Sequence, residues 1–244
     1  MLALTKEERN RLKEEIRGKD RRVLLGVTGG IASGKTIVSR MLEELGAPMI
    51  DFDVLSRVVV DPGKPSWQEI VKYFGEEILL PDKTLDRKKL GEIVFRDPEK
   101  RKKLERFIHP RIFEEFVRLV KEYAARDPNA IIQADVPLLY EVNLQYLFHK
   151  VLLVYIPEEM QIERLMKRDG ISQEMAINIL KSQLPIEKKK KLADFVVDNS
   201  GSLEETRKQV EEVWKKLKEI QKERSQGTPP PFPSPSEGGG SGRG

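Results

Sequence analysis

Gly29-Gly30-Ile31-Ala32-Ser33-Gly34-Lys35-Thr36 has the spacing G-x-x-x-x-G-K-[ST]. Each residue type in it has a task on a phosphate. The glycines let backbone N–H groups turn inward and approach phosphate oxygens closely. A helix beginning at Lys35 presents its positive dipole end to the same anion. Lys35 reaches the β- and γ-phosphates, and Thr36 offers a hydroxyl to Mg²⁺. Chance would give roughly one such match per hundred chains of this size. The apolar run VLLGVT (23–28) before it and a helical pattern after it supply the setting the motif requires. The competing reading is a Gly-rich turn with a surface lysine.

Carboxylates stand at two further apolar runs. Asp51 and Asp53 follow APMI, and strand alternation puts both on one side if the strand continues. A kinase needs a carboxylate to orient the acceptor hydroxyl, take its proton and help arrange Mg²⁺. Asp53 is the first choice for that role and Asp51 the second. Equally, Asp53 fits the N-cap of a helix over VLSRVV. Asp135 ends IIQAD, where ligands meet the carboxyl edge of an open sheet. It reads as an outer Mg²⁺ partner, an acceptor-site group or a turn carboxylate, with Val136 to Leu139 as a wall behind it.

A phosphate loop specifies a nucleotide, not a reaction. A GTPase switch, an ATPase motor and a small-molecule kinase all use one. His109-Pro110 follows a helical stretch and reads as a structural or acceptor-binding group rather than a proton carrier. The run Lys188–Lys191 reads as a solvated face. Trp67 and Trp214 read as core anchors. Without a paired basic–aromatic array, nucleic-acid binding is not expected.

These side chains need a scaffold, and the 244 residues contain one. Apolar runs at Val23–Thr28, Ala47–Asp51, Ile131–Asp135, Val151–Ile156 and Phe195–Asp198 alternate with helical stretches. That alternation predicts an α/β fold with a parallel sheet. Leu203, Val210, Val213, Trp214, Leu217 and Ile220 recur at helical spacing and predict a terminal amphipathic helix on the sheet. The expected organisation is a basic helical extension over 1–22 and a kinase domain over 23–225. Its core comprises 23–61, 126–157 and 193–225, with a helical insertion at 62–125 and a mobile lid at 158–192. In the leader, Thr5 and Glu8 fit a capping box, Gly18 fits a helix stop, and a solvated helix outside the main fold is expected. Gly, Pro and Ser dominate 226–244, which predicts disorder.

Composition sets bounds. Lys and Arg number 44 against 40 Asp and Glu, a net charge of +4 that weakly favours anionic ligands. With no Cys, disulfides and thiolate metal centres are excluded, and with two His a His-rich metal centre is not expected. No apolar run approaches the roughly 18 residues of a membrane span. The N-terminus lacks an apolar h-region, so a cytoplasmic location is expected, with no membrane partner.

In combination the motifs resemble the dephospho-coenzyme A kinase family. The likeness runs from about Val23 to Gln221 through GVTGGIASGKT, IDFDVLSRVVV, LDRKKLGEIVF, HPRI, DVPLLYE, RLMKRDG and VVDNSGS, in that order. It implies a nucleoside-monophosphate-kinase-like P-loop fold with a five-stranded parallel sheet, a helical acceptor-binding insertion and a lid. It implies transfer of the ATP γ-phosphate, with Mg²⁺, to the ribose 3′-hydroxyl of dephospho-coenzyme A by a monomer or weak oligomer. On this resemblance ATP is held by Gly29, Gly30, Ile31, Ala32, Ser33, Gly34, Lys35, Thr36, Ile37 and Asn199. The acceptor is held by Asp53, Arg87, His109, Pro110, Asp135, Pro137 and Leu138. Catalysis falls to Asp53, Lys35, Arg164 and Arg168, and the metal to Thr36 and Asp53. Another P-loop kinase and a nucleotide-regulated switch remain the alternatives. Ala32 stands where the family commonly has Gly, Tyr140 where Phe is common, and Asn178 near a frequent Arg.

Overall fold

The computed structural model describes residues 6–18 and 21–225. Five strands form one parallel sheet in the order β2-β3-β1-β4-β5. They are β1 (Val23–Gly29), β2 (Met49–Asp51), β3 (Ile131–Asp135), β4 (Lys150–Tyr155) and β5 (Phe195–Asp198). All seven residues of β1 are buried, as a parallel strand covered on both faces requires. Ten helices accompany the strands among the described residues: α1 (Lys6–Arg17), α2 (Lys35–Glu44), α3 (Phe52–Val58), α4 (Pro65–Phe74), α5 (Arg87–Arg96), α6 (Pro98–Arg126), α7 (Glu158–Asp169), α8 (Gln173–Lys181), α9 (Ile186–Leu192) and α10 (Leu203–Ser225).

Side-chain alternation along the strands divides the core in two. On one face Val23, Leu25, Val27, Ile131, Leu152 and Val154 pack with Val38 and Leu42 of α2 and Val210, Val213 and Leu217 of α10. On the other, Leu24, Ile132, Ala134 and Val151 pack with Phe113, Phe116, Val117 and Val120 of α6. The second half of α6 therefore covers the sheet, while its first half packs with α4 and α5 in the helical segment 62–125.

Four local expectations are corrected. The second strand does not continue to Asp53. It stops at Asp51, which is the N-cap of α3 and accepts from the Asp53 and Val54 N–H groups. The capping role therefore falls to Asp51, and Asp53 is in the first turn. His109-Pro110 does not follow a helical stretch but lies within one, because α6 runs through it. Pro110 has no N–H, so the Arg106 carbonyl loses its helical donor there. Nor is α1 a solvated extension. Ile16 is fully buried in the core, Leu12 packs beside it, and Lys121 pairs with Glu15 across to α6. Thr5, the Glu8 side chain and the tail 226–244 lie outside what is described. Finally, Lys188–Lys191 is not a uniform solvated face, since Lys189 is fully buried.

No helix among the described residues is long and apolar enough to cross a membrane. Trp67 is half-buried against the core and donates to the Lys83 carbonyl. Trp214, on α10, packs against the core as its spacing predicted.

Candidate active site

The sheet order determines where a ligand meets it. From β1 the chain crosses over β3 to reach β2, then returns and passes to β4 on the other side. The carboxyl ends beside that reversal form the crevice of an open α/β sheet. Gly29, Asp51 and Asp135 all sit there, with Asp135 level with Asp51 on β2 and Val27 on β1.

The loop from Gly29 to Thr36 carries β1 into α2. Gly34 caps α2 in the left-handed region, at φ 84°, where a side chain is strained. No side chain caps this helix, so its first N–H groups face outward with the dipole behind them. Gly30 is small for another reason. A Cβ there would lie 2.2 Å from Oε1 of Gln161, a buried residue of α7. The Ser33 hydroxyl is buried without a hydrogen-bond partner. Ala32 is also left-handed, at φ 57°. That backbone conformation is one a glycine adopts without strain.

Lys35 forms an ion pair with Asp135, whose other oxygen accepts from Ser39 at 3.1 Å. Asp135 is 4% exposed, so its charge is compensated inside the protein. Burial pushes the Lys35 ammonium below its usual range, and Asp51 and Asp53 oppose that shift. Asp135 thus faces the phosphate loop and does not line the cavity beside Asp53. Thr36 and Ile37 are exposed in the first turn of α2.

Asn199 follows β5. Its Nδ2 donates to the Ser33 carbonyl at 2.8 Å, and its Oδ1 accepts from Thr206. It acts as a clamp on the loop. The Asn199 carbonyl accepts from Arg164 at 3.1 Å. Arg168 is exposed and bonded through two nitrogens to Asp169.

A cavity of about 210 Å³ opens on the other side. Its walls include Phe52, Asp53, His109, Phe113, Pro137 and Leu138. Asp53 is exposed in it. Burial pushes His109 below its ordinary range, with Glu105 opposing, which favours the neutral ring. Pro110, the next residue along α6, faces a different, larger groove against α1. Arg87 is exposed in the first turn of α5 and lines neither space. The structure therefore brings Asp53, His109, Pro137 and Leu138 together, and leaves Arg87, Pro110 and Asp135 outside that cavity.

Gln161, Glu141 and Lys189 were missed. Lys189 had a signal: it stands three residues after the apolar Ile186, on one helix face. Gln161 and Glu141 carried none, because their partners are remote in the chain.

A family model described as Dephospho-CoA kinase matches residues 23–205. A dephospho-CoA kinase of Halalkalibacterium halodurans is 45% identical over 198 residues, which cover 81% of this chain and 98% of that protein. One from Carboxydothermus hydrogenoformans is 44% identical over 195 residues, covering 80% and 94%. A solved dephospho-CoA kinase from Campylobacter jejuni aligns with a TM-score of 0.62 at 32% identity, over 81% of this chain and 98% of its own.

Proposed function

The chain belongs to the dephospho-CoA kinase family, and on that premise we propose how its residues divide the work. The enzyme phosphorylates the ribose 3′-hydroxyl of dephospho-coenzyme A with ATP, the last step of coenzyme A synthesis. One observation carries the division of roles. An uncapped helix terminus with its phosphate loop lies on one side of the β1 end, and a cavity containing Asp53 lies on the other.

In this reading the loop and Lys35 bind the β- and γ-phosphates. Lys35 turns from Asp135 toward them, and Ser39 retains a hold on the carboxylate. The cavity has room for a nucleoside-sized part of the acceptor, with its apolar walls against the base and ribose. The remainder extends outside, where exposed Arg87 is available to pair with a phosphate. Asp53 accepts a hydrogen bond from the 3′-hydroxyl. That oxygen attacks the γ-phosphorus, the bond to the β–γ bridging oxygen breaks, and ADP leaves. The hydroxyl proton passes to the Asp53 carboxylate. Arg164 stabilises the charge on the transferring group, and Arg168 does so on release from Asp169.

Thr36 and Asp53 offer hard oxygens suited to Mg²⁺. Among the described residues no group of three or more His, Cys, Asp or Glu is placed to hold a metal ion. An ion shared with ATP phosphates needs no such protein cage. Mg²⁺ bound with ATP would neutralise charge on the phosphate oxygens. The reading carries a cytoplasmic location, where ATP is available.

The test is ADP release from ATP with dephospho-coenzyme A, beside pantetheine and nucleoside monophosphates. Release should depend on dephospho-coenzyme A. Equal release without any acceptor would favour a nucleotide switch, and preference for a nucleoside monophosphate would reassign the acceptor.

A further inference from the structure

Lys189 is among the largest fully buried side chains in the protein. An ammonium without water needs compensation. It finds Glu141 at 2.6 Å and the Gly29 carbonyl at 3.3 Å. Glu141 also accepts from the Leu184 N–H at 3.0 Å. Glu141 lies in the loop that forms the wall behind Asp135. Leu184 and Lys189 lie on the return from the lid, and Gly29 opens the phosphate loop. One buried ion pair therefore joins three segments that surround the reaction centre. Surface solubility does not require this, because Lys189 has no surface.

We infer that Lys189, held by Glu141, is a positioning residue that sets the first peptide of the phosphate loop. The peptide unit is planar and trans. An ammonium on the Gly29 carbonyl therefore fixes the direction of the Gly30 N–H, which points away from it. That peptide joins the end of β1 to the loop. Gly30 is already confined by Gln161 on another side. With the Lys189 bond the loop is held before ATP arrives, and its donors need no reorganisation during transfer. Because Lys189 is on α9, any rearrangement of the lid return reaches this peptide through the same pair.

This inference rests on the kinase reading and deepens it. The test compares Lys189→Met with the double variant Lys189→Met/Glu141→Gln. The single variant strands a buried carboxylate, so loss of stability alone decides nothing. The double variant leaves no buried charge and keeps an acceptor for Leu184, so its melting temperature should return toward wild type. Its kcat should remain about tenfold or more below wild type, with a smaller change in ATP KM. A folded double variant with kcat within twofold of wild type would make the pair merely structural. A loss confined to ATP KM would also overturn the inference. If the double variant does not fold, the Gly30 amide resonance of Glu141→Gln in the ADP complex decides: shifted supports the role, unmoved rejects it. A wild-type enzyme without acceptor-dependent ADP release would instead overturn the kinase reading, and the resonance test stands apart from it.

Discussion

The Lys35 ammonium is paired with the Asp135 carboxylate at the end of the neighbouring strand. The lysine proposed to serve the phosphate thus also neutralises a carboxylate that is 4% exposed.

Lys35→Ala will cost both activity and stability. Turnover should fall on the order of 10²-fold or more, because the charge on the transferring phosphoryl loses its partner. Stability should fall by about 3 kcal/mol, because Asp135 is left as a buried charge with only Ser39. Steady-state kinetics and denaturant unfolding measure the two effects. An unchanged unfolding midpoint would show that the ion pair adds nothing to the fold.

Asp51 and Asp53 separate by readout. Asp53→Asn should reduce single-turnover phosphoryl transfer by about 10²–10⁴-fold with nucleotide affinity kept. Asp51→Ala should cost about 1 kcal/mol through the α3 cap. Asp51→Asn keeps an accepting oxygen and should cost less. Greater damage to transfer in Asp51→Asn than in Asp53→Asn would exchange their roles.

His109 makes stability depend on pH. Its folded pKa is held below the ordinary 6.5 by burial. The unfolded chain therefore binds the proton more readily, and stability is full above pH 6.5 and declines as pH falls below it. His109→Gln should remove that part of the decline. Melting curves from pH 7.5 to 5 for both proteins check this, and identical slopes would refute it.

Tyr140 has a buried hydroxyl without a partner, and burial pushes its pKa upward. Tyr140→Phe removes the stranded group and should stabilise the protein by about 1 kcal/mol, with turnover unchanged. Chemical denaturation is the measurement, and a destabilised variant would mean that the hydroxyl has a partner in solution.

The phosphate loop, the five strands and α10 were legible because their signals are local. VLLGVT, the glycine spacing and the apolar periodicity each depend on neighbours in sequence. The Asp51 cap was not legible, because both aspartates flank the helix start and only backbone geometry separates them. Lys189 was hidden in a lysine run because its partners, Gly29 and Glu141, are brought to it by the fold. The same holds for Asn199, whose grip on Ser33 spans most of the chain. The burial of Ile16 was not legible, since nothing local tells a solvated apolar stripe from one that α6 covers. Leu12 and Ile16 supplied the pattern, and tertiary packing decided its meaning.

β1 lies between β3 and β4, and it pairs with neither until they exist. During synthesis the phosphate-loop strand leaves the ribosome about a hundred residues before Ile131, its first partner residue on β3. At 5–20 residues per second, an apolar segment with no strand beside it waits for roughly 5–20 s. β1 has both of its sheet neighbours only after β4 has emerged, so the crevice at its carboxyl end is completed late. A nascent chain that ends before β4 should therefore have no affinity for ATP, although it already contains every residue of the phosphate-loop motif.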